Sequence, residues 1–147
     1  MYERAFFAEL LDTQNAHWKV SQKGFMELNL TNGQPKIFYI LRLNEGCVQK
    51  ELAKLCDIKE STLTVLLKKM QEQGYIYKQT LSVSGGKRAF GIYLTETGKI
   101  KAEAIFDLTQ RIDAQSLKDF REDEIELLYS MFDRIRANLS EELNFER

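Results

Sequence analysis

Residues 48–74 restrict the possible folds of this chain more than any other stretch, because they hold two short amphipathic repeats on either side of a three-residue turn. In VQKELAKLCD, Leu52, Leu55 and Cys56 stand at i, i+3 and i+4, which predicts a helix with one apolar side. Asp57-Ile58-Lys59 supplies the turn. In ESTLTVLLKKMQEQ, Leu63, Leu66, Leu67 and Met70 stand at i, i+3, i+4 and i+7, a stripe of helical period. Gly74 follows at the position where a left-handed backbone costs little only without a Cβ. The face opposite that stripe carries Ser61, Val65, Lys68 and Glu72, flanked by Thr62, Thr64 and Lys69. Small hydroxyls near the N-terminal end, with lysines beyond them, make a rod slim enough for a major groove. It offers hydrogen bonds to base edges and positive charge to phosphates. Paired amphipathic helices also occur in many all-α domains, so the next segment decides.

After Gly74 the apolar period drops from 3.6 to 2. The run from Tyr75 to Val83 is rich in β-branched and aromatic residues, and Phe90, Ile92 and Leu94 alternate with Ala89, Gly91 and Tyr93. Between them, Ser84-Gly85-Gly86-Lys87 offers the paired glycines of a hairpin turn. A hairpin directly after two such helices, with Lys87 and Arg88 at its tip, predicts a wing that reaches the DNA backbone or minor groove. Two strands alone are marginal in water, so the wing must lean on the helices. The expected fold class is mainly α with a small β-hairpin wing, a winged helix-turn-helix.

At 147 residues the chain has room for one domain with a sizeable core. No apolar run reaches the length of a membrane span, and the acids Glu3, Glu9 and Asp12 do not suit a signal peptide; a cytoplasmic protein without membrane contact is expected. The net charge of −1 argues at face value against a nucleic-acid partner. Its distribution argues the other way. Residues 1–46 carry 5 basic and 5 acidic side chains, residues 47–101 carry 10 and 5, and residues 102–147 carry 6 and 12. The positive third coincides with the two helices and the hairpin.

Helices are also expected at both ends. Residues 2–22 present Phe7, Leu11 and Trp18 on one side, with Phe6 and Leu10 beside them, and Val20 to Asn29 reads as an irregular passage. A second helix opens with a Thr31–Gln34 capping box or, because Pro35 disfavours helical geometry at Gln34, with Pro35 as its first residue; it carries Ile37, Phe38, Ile40 and Leu41, and closes at Asn44-Glu45-Gly46. Thr95 caps a long helix, and another starts at Arg121-Glu122-Asp123-Glu124 and runs through Leu128, Phe132, Ile135 and Leu139. The expected layout is a single domain, 1–147, with a DNA-binding part at 31–95 and dimerisation helices at 1–22 and 96–145. A two-fold dimer would present two reading helices to half-sites about 34–36 Å apart.

Taken in register, these pieces resemble the MarR family of transcriptional regulators. The matching run begins with Leu30-Thr31 and Gln34. It continues through Gln49-Lys50-Glu51-Leu52-Ala53, Ser61-Thr62-x-Thr64 and Met70-x-x-x-Gly74-Tyr75-Ile76, and ends with Lys87-Arg88 and Leu94-Thr95-x-x-Gly98. The resemblance implies a homodimer on palindromic double-stranded DNA, in most cases a repressor. It places Ser61, Thr62 and Thr64 at bases or nearby phosphates and Lys68, Lys69 and Lys78 at the backbone, with Arg88 at the wing tip; Gln49, Lys59, Val65 and Lys87 complete the expected DNA-binding set. Three positions depart from the family pattern. Val65 replaces a common arginine and suits a thymine methyl instead, Gly86-Lys87-Arg88 lacks the aspartate that anchors the wing arginine, and Lys59 replaces the usual serine cap.

Members of this family often answer to small aromatic ligands, and His17, Trp18, Phe25, Phe38 and Tyr39 are candidates to line such a site. Cys56 reads as core, while Cys47 begins a helix, whose N-terminus would lower its pKa. One histidine and two cysteines without C-x-x-C spacing give no metal site, and no cofactor is expected. With neither a phosphate loop nor a Ser/His/Asp set, the chain does not read as an enzyme. The competing reading is a winged-helix module that docks a protein.

Overall fold

The computed structural model describes residues 4–82, 85 and 88–145. In chain order the elements are α1 (Phe6–Glu27), α2 (Gln34–Leu41), α3 (Gln49–Cys56), α4 (Glu60–Glu72), β1 (Ile76–Ser82), β2 (Arg88–Leu94), α5 (Glu96–Ser116) and α6 (Glu122–Phe145). A mainly helical chain with one antiparallel hairpin is the expected class. None of the described helices is long and apolar enough to cross a membrane. The chain divides into two compact units, residues 1–112 and 113–147.

In the first unit the core joins α2, α3, α4, the base of the hairpin and α5. Ile37, Phe38, Leu41, Leu52, Leu63, Leu67, Met70, Ile92 and Ile105 are all buried in one cluster. Removing each large side chain of this kind from water contributes about 1.5–3 kcal/mol. The stripe of α4 is confirmed at Leu63, Leu67 and Met70, with Leu66 half-buried. On α3 the expectation fails at Leu55, which is 45% exposed; the buried residues are Leu52, Ala53 and Cys56. In a helix of eight residues the small Ala53 faces the core, and Leu55 is turned to its flank.

α1 also differs from the sequence expectation. It runs on to Glu27, through the passage read as irregular. α1 continues through Gly24: a Cβ there would lie 2.7 Å from Leu108 Cδ2, so the glycine makes room for the Leu108 side chain of α5. The chain turns only afterwards, where Leu28 and Leu30 both donate to Phe25 O and Asn29 adopts φ 58°. α2 starts at Gln34, one residue ahead of the proline expected to open it, because a first-turn position needs no N–H and tolerates Pro35; Gly33, at φ 89°, is the cap, which excludes Thr31 from that role. Thr31 N–H still donates to Gln34 Oε1 at 3.4 Å. The helix also ends at Leu41, ahead of Asn44-Glu45-Gly46.

Several polar clasps set the wing against the helices. Gly46 N–H donates to Ile92 O (2.8 Å) and Ile92 N–H to Cys47 O (3.0 Å), so the α2–α3 connection runs beside β2 as a short extra edge. Glu45 Oε1 accepts Leu94 N–H at 2.8 Å. Thr95 Oγ1 caps α5 by accepting Gly98 N–H at 3.0 Å, and donates to Gly74 O at 2.6 Å. One hydroxyl thereby links the end of the α4 turn to the start of α5. In the second unit, Arg121 N–H donates to Glu124 Oε1 at 2.9 Å, closing the first turn of α6.

Candidate nucleic-acid interface

α3 and α4 form the helix-turn-helix, joined through Asp57 in a left-handed conformation at φ 52°. Lys59 is the cap residue of α4 and makes no side-chain cap bond, as the sequence suggested. With Leu63, Leu67 and Met70 buried, helical geometry turns Ser61, Thr62, Thr64, Val65, Lys68 and Lys69 outward, and all six are exposed. The outward row expected from the sequence is therefore on the surface of one element.

Two of these groups are tied down. Gln49, at the start of α3, donates from Nε2 to Thr64 Oγ1 at 2.5 Å, and the Thr64 hydroxyl donates in turn to Glu60 O at 2.9 Å. The two helices are thus bridged at the N-terminal end of α4. Lys69 Nζ lies 3.5 Å from Thr31 Oγ1.

The lysines on this side keep their charge available. The ion pairs among the described residues lie at the start of α1, within α5, at the start of and within α6, and between Arg42, just past α2, and α5; none involves Lys50, Lys54, Lys59, Lys68, Lys69 or Lys78. Uncompensated lysines beside a groove-sized helix are what a phosphate backbone attracts. Lys50 and Lys54, both exposed on α3, extend this set beyond the positions the sequence reading chose; their helical register relative to buried Leu52, Ala53 and Cys56 was the available signal.

On the hairpin, Lys78 pairs with Ile92 and Thr80 with Phe90. Ile92 is core and Phe90 is exposed, so that face of the ribbon passes from core at its base to solvent toward the tip. Tyr77 and Tyr93 stack on the other face with centroids 5.4 Å apart. Arg88 begins β2 opposite Ser82; Lys87 lies outside the described residues.

Two further functional pairings had no clear sequence signal. Gln34, fully buried, donates from Nε2 to Gln73 Oε1 at 2.8 Å and so ties α2 to the end of α4. Lys36 Nζ donates to Cys56 O at 2.8 Å, a cation on the C-terminal carbonyls of α3. Both bonds cross tens of residues of sequence, where local spacing carries no information.

The residues expected to line a ligand site differ in their exposure. His17 and Trp18 are exposed on α1, Phe25 is half-buried against the core, and Phe38 lies within it, edge-on to Tyr75 at 5.3 Å. Tyr39 is exposed and stacks on Phe106, over which Arg42 also lies at 3.8 Å.

The cysteines carry a correction. Cys56 is buried, but the thiol of Cys47 is not lowered by its helix. Burial pushes it up, the Glu51 carboxylate adds to the shift, and its backbone hydrogen bond only partly opposes them. Burial raises Cys56 as well, against the opposing charge of Lys36. At pH 7 both thiols should react with a thiol-disulfide reagent more slowly than free cysteine, and both should react fully once the chain is unfolded. Fast modification of Cys47 in the native protein would contradict this assignment. Among the described residues, no three His, Cys, Asp or Glu side chains are placed to hold a metal ion.

Comparison with known proteins agrees with this arrangement. The MarR family model matches residues 30–83, from the approach to α2 into the wing. The HTH-type transcriptional regulator YybA of Bacillus subtilis (strain 168) is 28% identical over 132 residues, covering 86% of this chain and 83% of that protein. The crystal structure of the transcriptional regulator SlyA has a TM-score of 0.81 at 30% identity, across 98% of this chain and 100% of that one. A MarR-family regulator from Listeria monocytogenes, crystallised with a 26mer DNA, shares the fold with a TM-score of 0.81 at 24% identity, over 95% and 92% of the two chains.

Proposed function

The chain belongs to the MarR family of transcriptional regulators, and from that premise we propose that it acts as a homodimer that reads a palindromic operator through α4 and grips the flanking backbone with its wing. The observation that carries this reading is the exposed row of Ser61, Thr62, Thr64, Val65, Lys68 and Lys69, backed by a buried stripe and free of ion pairs among the described residues. Hydroxyls on that row suit base edges and phosphates, and the lysines suit phosphates. Lys59 and Lys78 extend the cationic contact, and the family resemblance adds Lys87 and Arg88 to it.

The dimer is supported by unpaired apolar surface in both compact units. α1 exposes Phe6, Phe7, Leu10, Leu11 and Trp18, and α6 exposes Leu127, Met131, Phe132, Leu139 and Leu143. Contiguous apolar surface of this extent on a helix marks an association face, and a two-fold axis duplicates the reading helix at no cost in new sequence.

Selection of bound duplexes from a random pool tests both parts. The expected product is an inverted repeat with half-site centres about one helical turn apart, bound by two chains. Recovery of a single unpaired motif bound by one chain would contradict the dimer. Recovery of no common motif would contradict sequence-specific reading.

A further inference from the structure

The outward face of α4 has an apolar centre, and the fold has no use for it. Val65 is 70% exposed and stands almost opposite the buried Leu63, Leu67 and Met70 stripe, so it faces outward from the helix-turn-helix. A β-branched residue is a mediocre helix former, and this one covers no core. Its single favoured χ1 rotamer in a helix does, however, present a rigid isopropyl group whose immobilisation costs little entropy.

Thr64, beside it, is less polar than its sequence suggests. Its hydroxyl proton is committed to Glu60 O at 2.9 Å, and one lone pair accepts Gln49 Nε2 at 2.5 Å. It has no proton left to give a base; its methyl and one lone pair remain. The orientation of the Gln49 amide is fixed by the same contacts. Nε2 also lies 3.5 Å from Glu60 O, and a flipped amide would set oxygen against that carbonyl. Gln49 is thus a positioning residue that holds Thr64 in its hydroxyl-in state.

An apolar centre on a reading helix has one counterpart in the major groove: the C5 methyl of thymine is the apolar feature that distinguishes one base-pair edge from the others. We infer that Val65, with the Thr64 methyl beside it, is the specificity-determining group of this chain, and that it selects a thymine in each half-site. The inference rests on α4 being the reading helix.

The test uses the duplex selected by the full-length protein. Each thymine of one half-site is replaced singly by deoxyuridine, which removes the methyl and leaves every hydrogen-bonding group in place. One or two positions should lose about fourfold in affinity each, the effect of one buried methyl(ene) group. Against Val65→Ala the same replacements should cost close to nothing, while the variant melts no lower than the parent, because the side chain is exposed and alanine is the better helix former. Gln49→Ala should reduce the deoxyuridine penalty part of the way, and Gln49→Glu should not restore it.

If no thymine is sensitive, or if the penalty is the same in Val65→Ala, the inference is overturned while DNA reading by the chain stands. If the parent selects no duplex at all, the reading it rests on falls, and the inference with it.

Discussion

Replacing Lys68, Lys69 and Lys78 together with alanine is expected to weaken operator binding on the order of 10²-fold or more near physiological salt. The slope of log affinity against log salt should flatten by about one for each lysine in each protomer, so by roughly six for a dimer. The effect follows from where the charges stand. All three are exposed, and none makes an ion pair with a described residue. Nothing inside the protein competes for them, so each is available to release a counterion from a phosphate. For the same reason the folded chain should barely register their loss, with a stability change within about ±0.5 kcal/mol per site. Affinity measured by fluorescence anisotropy over a salt series separates the two effects. An unchanged slope would place the phosphate contacts elsewhere.

Gly98→Ala should cost roughly 3 kcal/mol or more of stability. Propensity alone predicts the opposite sign, since alanine in a helix is better than glycine by about 1 kcal/mol. Packing decides. A Cβ on Gly98 would stand 2.0 Å from Tyr75 O and 2.9 Å from Tyr75 C. That carbonyl cannot swing away without loss, because it accepts Thr95 N–H at 3.0 Å. No side-chain rotation relieves a clash between a Cβ and a backbone, so α5 or the turn after α4 must move. The melting temperature should fall by roughly 10 °C, and DNA affinity should fall with it, because the same turn sets the hairpin against α4. A melting temperature equal to or above the parent's would show that the backbone gives way freely at this point.

What the sequence made legible depended on range. The α4 stripe, Thr95 as a cap, the two strands of the hairpin and the outward row from Ser61 to Lys69 are all local patterns. Each is expressed within a few residues by the period of one element. Errors arose where tertiary contact outweighed a local signal. Val20 to Asn29 reads as irregular, but its Gly24 is the small residue that lets Leu108 approach, and α1 continues past it. Leu55 reads as core on spacing, yet Ala53 takes the inner position on that short helix. The Gln34–Gln73 and Glu45–Leu94 bonds span 39 and 49 residues and leave no trace in local spacing. Cys47 is the instructive case. The sequence puts Cys47 at a helix start, but α3 begins only at Gln49 with Val48 as its cap, and burial and Glu51 raise the thiol.

Backbone amide chemical shifts report directly whether the α4 face meets the duplex. Titrating the isotopically labelled protein with its selected duplex should move resonances of residues 59–69 and of the hairpin most strongly, with α6 nearly silent. Shifts concentrated on α1 and α6, with residues 59–69 unmoved at saturation, would contradict it.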